Sequence, residues 1–300
     1  MAGPGTTTLP SLRDGNVVDV GSASIPTAIE RLALSCRRAG SPISIGLEPC
    51  EEYLPAGFRP DIGGYERFLR TVVDATAGQA AAYKFNLAFF EALGASGVEL
   101  LYRVRQQLPP DTYVIADAKR CDIGSSARRY AQALYESLGA DAATVNPLLG
   151  RDSVEPFLEY SDRLSFLLAL TSNPGAADFL APGALYRRIA EAASAWNTRQ
   201  NCGLVVGATQ ASLAAEIRKA APSLPFLVPG VGAQGGDLRG AAKAARAPEG
   251  NVPVLFHVTR GILPDKGKSC DPAAAILEKT RNWRSQINEA VARVTGGTIE

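Results

Sequence analysis

The sequence predicts a single (β/α)8 TIM barrel, which is an α/β fold. Eight short apolar runs, rich in Val, Ile, Leu and Ala, alternate along the chain with longer amphipathic segments. Because the runs lack polar alternation, we expect strands that are buried on both faces, as parallel strands beneath helices are. Eight strand–helix units fit a barrel of about 250 residues. A doubly wound open sheet is the competing architecture.

Each element follows from a local pattern. The predicted strands are, in chain order, ISIGLE ending at 48, AAYKF (81–85), TYVIAD (112–117), DAATVN (141–146), LSFLLAL ending at 170, GLVVGA (203–208), PFLVPG (225–230) and VPVLFHV (252–258). GSSARRYAQALYESLGA and TQASLAAEIRKAAPS, which follow the third and sixth strands, have helical spacing and good caps. Residues 1–25 are rich in Gly, Thr and Ser, and we expect an N-terminal extension there. Since no linker divides the remainder, residues 26–300 are predicted to form one barrel domain.

Composition disfavours several classes of function. The chain carries 31 Lys and Arg against 30 Asp and Glu, so no global field attracts nucleic acid or an anionic membrane. The five cysteines form no C-x-x-C pair and are accompanied by a single histidine, which argues against a zinc finger and a disulfide scaffold. No uncharged apolar run approaches the roughly 18 residues that span a bilayer. We therefore expect a cytoplasmic protein with reduced cysteines.

Polar side chains collect at the predicted carboxyl ends of the strands, where barrel enzymes place their active sites. They are Glu48 at the first strand, Lys84 and Asn86 at the second, Asp117 and Lys119 at the third with Asp122 beyond, Ser172 after the fifth, Gln234 after the seventh and Arg260 after the eighth. Charged groups are rarely buried unpaired. Lysines and carboxylates that alternate at strand ends therefore predict a compensated network.

Residues 117–122, DAKRCD, are the centre of this prediction. Residues two apart in an extended chain share a face, so Asp117 and Lys119 are expected to point toward the barrel mouth. Lys84 can reach them from the neighbouring strand. A surface salt-bridge cluster without function is the alternative interpretation. The position at a strand end, beside a second lysine, favours a functional site.

Two loops complete the predicted site. Residues 230–236, GVGAQGG, match G-x-G-x-x-G, but the next strand ends at Arg260 and offers no acidic residue for a dinucleotide's ribose. In a barrel, this loop and Arg260 predict a phosphate site, whereas a tight turn alone would leave the arginine without a role. The loop TSNPGAADFLAPG is either a lid or a plain surface connection. His257 is expected to be a hydrogen-bonded strand residue rather than a base.

At these residues the sequence resembles the orotidine 5'-phosphate decarboxylase family, in its longer bacterial branch. IADAKRCDIGSSA is similar to the family's D-x-K-x-x-D motif, and YKFNLAFFEALG to its strand-two lysine segment. TSNPGA is similar to its pyrimidine-contacting loop, VPGVGAQGGD to its phosphate loop and VTRGI to its phosphate arginine. Five motifs in the family's order and spacing, from the first strand to the eighth, make the resemblance specific.

The resemblance implies a role for each candidate residue. It implies a catalytic tetrad of Lys84, Asp117, Lys119 and Asp122, with Lys119 as the proton donor to C6 of the pyrimidine. Asp122 and Ser126 would come from the partner subunit of a homodimer. The other implied substrate-binding residues are Glu48 at the ribose, Ser172 at the pyrimidine, Gln234 between base and phosphate, Pro229, Gly230 and Gly235 in the phosphate loop, and Arg260 at the phosphate.

Three positions depart from the family's pattern. Glu48 stands where Asp is usual, and it is one methylene longer with the same charge. Cys121 stands where Gly or Ala is usual, and Ser126 where Thr is usual. Because the residues at 121 and 126 are small, we expect activity to survive.

The residue chemistry supports the implied reaction, decarboxylation of orotidine 5'-phosphate to UMP. Loss of CO2 leaves a ring carbanion, which the ammonium of Lys119 would stabilise and then protonate. Asp117 beside the substrate's carboxylate would disfavour the ground state. No metal or organic cofactor is required. The alternatives are a metal-dependent phosphosugar lyase of the hexulose-phosphate synthase type, which Lys84 argues against, a Schiff-base aldolase and a non-catalytic nucleotide-binding barrel.

Overall fold

The computed structural model describes residues 26–232, 235–248, 252–265 and 270–295. Its eight parallel strands form a closed barrel in chain order, which confirms the predicted fold. The strands are β1 (Ile43–Leu47), β2 (Ala82–Asn86), β3 (Val114–Arg120), β4 (Ala142–Val145), β5 (Leu164–Leu170), β6 (Cys202–Val206), β7 (Phe226–Pro229) and β8 (Val254–Val258). β1 pairs with both β2 and β8, and this closure excludes the open sheet.

Helices alternate with the strands. They are α1 (Ala28–Ala39), α2 (Ile62–Thr76), α3 (Leu87–Glu91), α4 (Gly94–Gln107), α5 (Gly124–Gln132), α6 (Arg151–Leu158), α7 (Ala176–Phe179), α8 (Leu185–Trp196), α9 (Ala211–Ala220), α10 (Leu238–Ala245) and α11 (Pro272–Thr295). Among the described residues, no helix is both long enough and apolar enough to cross a bilayer. The extension expected at residues 1–25 lies outside the described part of the chain.

The prediction of good caps for α5 and α9 is wrong at the N-termini of both helices. Ile123 and Gln210 occupy the two N-cap positions, and neither side chain makes a capping hydrogen bond. In α5 the helix begins at Gly124, so the two serines that could cap it fall inside the first turn. Before α9, the hydroxyl of Thr209 donates to the carbonyl of Ser172, 3.3 Å away. That threonine therefore joins two loops at the barrel mouth instead of capping the helix.

The interior of the barrel is apolar toward the amino ends of the strands. Seven strands contribute to one buried cluster, through Ala82, Ile115, Ala142, Leu164, Phe166, Val205, Leu227 and Leu255. Ala28 and Leu32 of α1 belong to the same cluster, so α1 packs across this end of the barrel. Thr27 and Glu30 form a capping box that starts the helix. Apart from Ser44, the register partner of Ala82, the polar interior positions lie toward the opposite end, where the strands finish.

Candidate active site

The strand that carries Asp117 and Lys119 is irregular where these residues lie. β3 and β4 shift register between Ala116 and Arg120, which places a bulge at residues 117–119. Lys119 has a φ of 49°, in the left-handed region that residues with a Cβ rarely adopt. Its backbone N–H donates to Thr144 Oγ1 at 3.0 Å, so a side chain of β4 anchors the bulge.

Asp117 lies between two ammonium groups. Lys84 Nζ is 2.6 Å from Asp117 Oδ2, and Lys119 Nζ is 2.5 Å from Asp117 Oδ1. The hydroxyl of Thr144 also donates to Oδ1, at 2.9 Å. Burial by itself would raise the pKa of Asp117, but Lys84 and Lys119 outweigh it and hold that pKa well below its usual range. The carboxylate is therefore ionised, and the geometry brings together three members of the predicted tetrad.

The two lysines differ in their exposure. The side chain of Lys84 is 5% exposed, whereas that of Lys119 is 49% exposed. Lys84 is thus a fixed charge beneath Asp117, and Lys119 is the one that can meet a ligand from the mouth. The order Lys84, Asp117, Lys119 runs from the barrel interior outward.

Asp122 and Ser126 lie apart from this cluster. Asp122 Oδ1 accepts a hydrogen bond from the backbone N–H of the next residue, Ile123, at 2.8 Å. No ion pair to Asp122 occurs among the described residues. Ser126 is exposed in the first turn of α5. Within a single chain, then, the fourth member of the predicted tetrad does not join the other three.

A cavity of about 260 Å³ opens at the barrel mouth beside Lys84. It is formed by the carboxyl ends of β1, β2, β7 and β8 and the loops after them, and its lining includes Glu48, Tyr53, Asn86, Phe89, Pro229, Gly230, His257, Thr259 and Arg260. Burial and the neighbouring carboxylate of Glu48 raise the pKa of Tyr53, so its phenol stays protonated and can donate a hydrogen bond. The cavity therefore offers cations, a carboxylate and a phenol to a polar ligand.

The glycine-rich loop after β7 folds back on itself. Gly230 and Gly235 have φ values of 94° and 73°, which only glycine adopts easily. The N–H of Gly236 donates to the carbonyl of Gly230 at 3.1 Å. Arg260 is exposed and begins a short 3-10 turn, Arg260–Ile262, directly after β8. Gln234, which was also predicted to bind substrate, lies outside the described residues.

The loop after β5, predicted to be either a lid or a plain surface connection, carries local secondary structure. It contains the short helix α7 and a 3-10 turn, Pro182–Ala184. Ser172 is half-buried at its start, and a Cβ added at Gly207 would come within 2.8 Å of Ser172 Cα. Gly207 therefore permits the loop to pack closely against the end of β6. Phe179, 75% exposed, stands at the end of α7.

Sequence reasoning missed Thr144, Tyr53 and Thr259. Thr144 follows Ala142 by two residues in DAATVN, so strand alternation does place it on the interior face. Its meeting with Asp117 depends on the bulge in β3, which no pattern in the sequence indicates. Tyr53 lies in a 3-10 turn, Glu51–Tyr53, that follows β1.

Fold and site together define the class: a TIM-barrel enzyme with a Lys–Asp–Lys charge cluster and an arginine at its mouth. Residues 41–276 match the profile of the orotidine 5'-phosphate decarboxylase / HUMPS family, and the chain belongs to this family. The resemblance seen in the motifs is thus confirmed.

Individual relatives extend this similarity over most of the chain. The orotidine 5'-phosphate decarboxylase of Dehalococcoides mccartyi is 40% identical over 268 residues, which cover 87% of this chain and 97% of the relative. That of Thermomicrobium roseum is 43% identical over 272 residues, covering 88% and 95%. The solved structure of Leishmania donovani OMP decarboxylase superimposes with a TM-score of 0.74 at 34% identity, covering 89% of this chain and 99% of that one.

Proposed function

We propose that the protein decarboxylates orotidine 5'-phosphate to UMP. The observation that carries this proposal is the ionised Asp117, held between Lys84 and Lys119 at the edge of a cavity that Arg260 also lines. The relatives named for this activity align with this chain over nearly their whole length. Residues 26–300 would act as one catalytic domain.

The charge cluster suits the electron flow of the reaction. The bond between C6 and the carboxylate carbon breaks, CO2 leaves, and the electron pair remains on C6. The half-exposed ammonium of Lys119 stabilises that pair and then transfers its proton to C6. Asp117 is held ionised, so its charge opposes the substrate's carboxylate only until CO2 departs. Lys84 and Thr144 keep Asp117 in place throughout.

Binding of the remote phosphate would supply energy for this step. Arg260 offers a bidentate contact at the cavity wall, and Pro229, Gly230 and Gly235 shape the loop beside it. Glu48 would accept a hydrogen bond from a ribose hydroxyl, and Ser172 would contact the pyrimidine. Gln234 would bind both the base and the phosphate. A lid role for the loop after β5 remains part of this proposal.

A homodimer would complete the site. Asp122 and Ser126 lie outside the Lys–Asp–Lys cluster of their own chain, which leaves them available to a partner. Ile123 and Leu148, which follow the neighbouring strands β3 and β4, are 56% and 54% exposed. Leu149, the residue after Leu148, is 52% exposed as well, and exposed apolar side chains at this end of the barrel support an interface there. We therefore propose that Asp122 and Ser126 act in the partner's active site.

A reducing, cytoplasmic location suits the cysteines. Cys36, Cys50, Cys121, Cys202 and Cys270 are all free thiols. Burial raises the pKa of the thiols of Cys36 and Cys202 to about 12, so these two are unreactive. An oxidising compartment would leave the exposed Cys270 open to unwanted disulfides.

The test is turnover by the EDTA-treated protein. We expect incubation with orotidine 5'-phosphate to produce equimolar UMP and CO2. The change in pyrimidine absorbance and chromatography measure the product. A Lys119→Ala sample serves as the blank for contaminating enzyme. Absence of UMP at micromolar protein would contradict the proposal. Covalent trapping by borohydride in the presence of substrate would instead indicate a Schiff-base reaction.

A further inference from the structure

A column of hydrogen bonds rises through the barrel interior between β1 and β8. Ser44 and His257 are register partners on the two strands, and Ser44 Oγ lies 3.2 Å from His257 Nδ1. His257 Nε2 lies 3.1 Å from Thr259 Oγ1, one layer higher. Thr259 Oγ1 lies 3.5 Å from Glu48 Oε1. The column therefore links a fully buried serine to the carboxylate at the barrel mouth.

Glycine at position 46 makes this column possible. A Cβ added at Gly46 would lie 2.0 Å from Thr259 Oγ1, well inside any permitted contact. The side chain of Thr259 thus rests directly on the backbone of β1. Any other residue at position 46 would push the hydroxyl of Thr259 away from both His257 and Glu48.

Each hydrogen bond of the column is donated in the same direction, from Ser44 toward Glu48. A carboxylate only accepts hydrogen bonds, so the hydroxyl of Thr259 donates its proton to Glu48. The same hydroxyl must then accept from the Nε2–H of His257, whose Nδ1 accepts from Ser44. Burial and the charge of Lys84 hold the pKa of His257 well below its usual value, with Asp117 opposing and Lys119 adding to the effect. A neutral imidazole with its proton on Nε2 satisfies the three hydrogen bonds of the column.

Glu48 is held from two sides and still faces the cavity. It is 8% exposed, and it accepts from Asn86 Nδ2 at 3.4 Å as well as from Thr259. Both of these bonds reach Oε1. Among the described residues no hydrogen bond to Oε2 occurs, so that oxygen keeps its lone pairs for a ligand. Both bonds to Oε1 are long, which leaves the carboxylate room to settle on a hydroxyl donor.

We infer that His257 and Thr259 are positioning residues that aim the Glu48 carboxylate at a sugar hydroxyl of the nucleotide. This inference rests on the proposed function, because it needs a nucleotide in the cavity. The longer side chain of Glu48 has more rotamers than an aspartate, and the column restricts them. The three residues together then select a ribonucleotide over analogues that lack the hydroxyl.

The test compares Thr259→Val, which removes the hydroxyl at nearly constant volume, with Thr259→Ser, which keeps it. Isothermal titration with UMP, 2'-deoxy-UMP and 3'-deoxy-UMP measures the preference for each sugar hydroxyl. One sugar hydroxyl donates to Glu48, and we expect the wild type to bind UMP about tenfold or more tightly than the analogue that lacks it, since the hydrogen bond has a charged acceptor. We expect Thr259→Val to lose most of this preference and Thr259→Ser to retain it. His257→Leu and His257→Gln form a second pair, because glutamine can still donate to Thr259.

A double-mutant cycle with Glu48→Gln separates positioning from general loosening of the barrel. If Thr259 acts through Glu48, Thr259→Val changes the preference in the wild type but adds nothing in the Glu48→Gln background. An equal loss in both backgrounds, or full preference retained in Thr259→Val and His257→Leu, overturns the inference. A wild type that binds no UMP at all refutes the proposed function together with it, so the two failures are distinguishable. Circular dichroism verifies folding of each variant, and the His257 pair replaces the Thr259 pair if the valine variant fails to fold.

Discussion

The hydroxyl of Thr144 donates to Asp117 Oδ1 at 2.9 Å while accepting the backbone N–H of Lys119 at 3.0 Å. One side chain of β4 thereby fixes both the carboxylate and the irregular backbone of the bulge in β3. With the roles proposed for Asp117 and Lys119, Thr144 is a positioning residue, since it binds the carboxylate of the first and the backbone of the second.

Replacing Thr144 by valine should lower kcat and leave KM nearly unchanged. The valine keeps the volume but loses a hydrogen bond to a charged group, which corresponds to a fall of about 10- to 100-fold. Steady-state kinetics with orotidine 5'-phosphate measure the effect, and Thr144→Ser is the matched control. A serine variant as impaired as the valine variant would show that packing, not the hydroxyl, is what matters.

Lys119→Ala should abolish turnover in a protein that still folds. The ammonium stabilises the developing charge at C6, and loss of such a group costs about 100- to 1000-fold in kcat. Loss of the proton donor lowers kcat further. The exposed Lys219 of α9 provides the control, and Lys219→Ala should behave as wild type. Turnover as high as a tenth of the wild-type rate in Lys119→Ala would remove Lys119 from its assigned role.

Lys84→Met should destabilise the fold most strongly near neutral pH. The pKa of Asp117 in the folded state lies well below its unfolded value of about 3.9, so this group stabilises the fold above that pH and the contribution is lost in strong acid. Without Lys84 the ionised Asp117 is buried with one cation fewer, at a cost of about 3–5 kcal/mol. Urea unfolding at pH 3.5 to 8 measures the difference in free energy of unfolding between the wild type and Lys84→Met. This difference should shrink as the pH falls, because Asp117 takes up a proton in the variant. A difference that is independent of pH would contradict the explanation.

Arg260→Ala should weaken binding of UMP while leaving uridine binding unchanged. The arginine provides a charge-assisted contact to phosphate, so its loss should lower UMP affinity by about 10- to 100-fold. Isothermal titration measures both ligands, and Arg281→Ala, on the exposed face of α11, is the control. Unchanged UMP affinity in Arg260→Ala would place the phosphate elsewhere.

The proposed sharing of sites across a dimer predicts recovery of activity on mixing two dead variants. Lys119→Ala and Asp122→Ala homodimers should each be inactive. After random exchange of subunits, half of the dimers are mixed, and each mixed dimer has one intact site, so activity should reach about a quarter of wild type. Exchange is verified by mass spectrometry of differently tagged chains. If exchange is complete and no activity returns, Asp122 serves its own subunit.

The strands were predictable because each is a continuous apolar run, and the approach of Lys84 to Asp117 followed from alternation along neighbouring strands. The bulge was not, since the register between β3 and β4 depends on contacts between residues far apart in the chain. Thr144 was missed for that reason. The N-terminal helix α1 was missed although residues 28–39 are amphipathic and follow a capping box at Thr27.

Asp122 shows a different limit. Its motif spacing grouped it with Lys84, Asp117 and Lys119, yet one chain does not bring it to them. In the proposed dimer a second chain would supply it, and the spacing of a motif does not indicate how many chains contribute to a site. His257 was correctly expected to be a hydrogen-bonded strand residue, but its partners Ser44 and Thr259 became evident only once β8 was paired with β1.

The left-handed backbone at Lys119, combined with the proposed catalytic role of this residue, implies a trade-off between stability and activity. A residue with a Cβ in this region costs about 1 kcal/mol or more, and glycine would adopt the same conformation without strain. Selection for stability alone would therefore remove the lysine from this position. The fold gives up part of its small net stability to present the ammonium group, and the rest of the barrel must be stable enough to tolerate that loss.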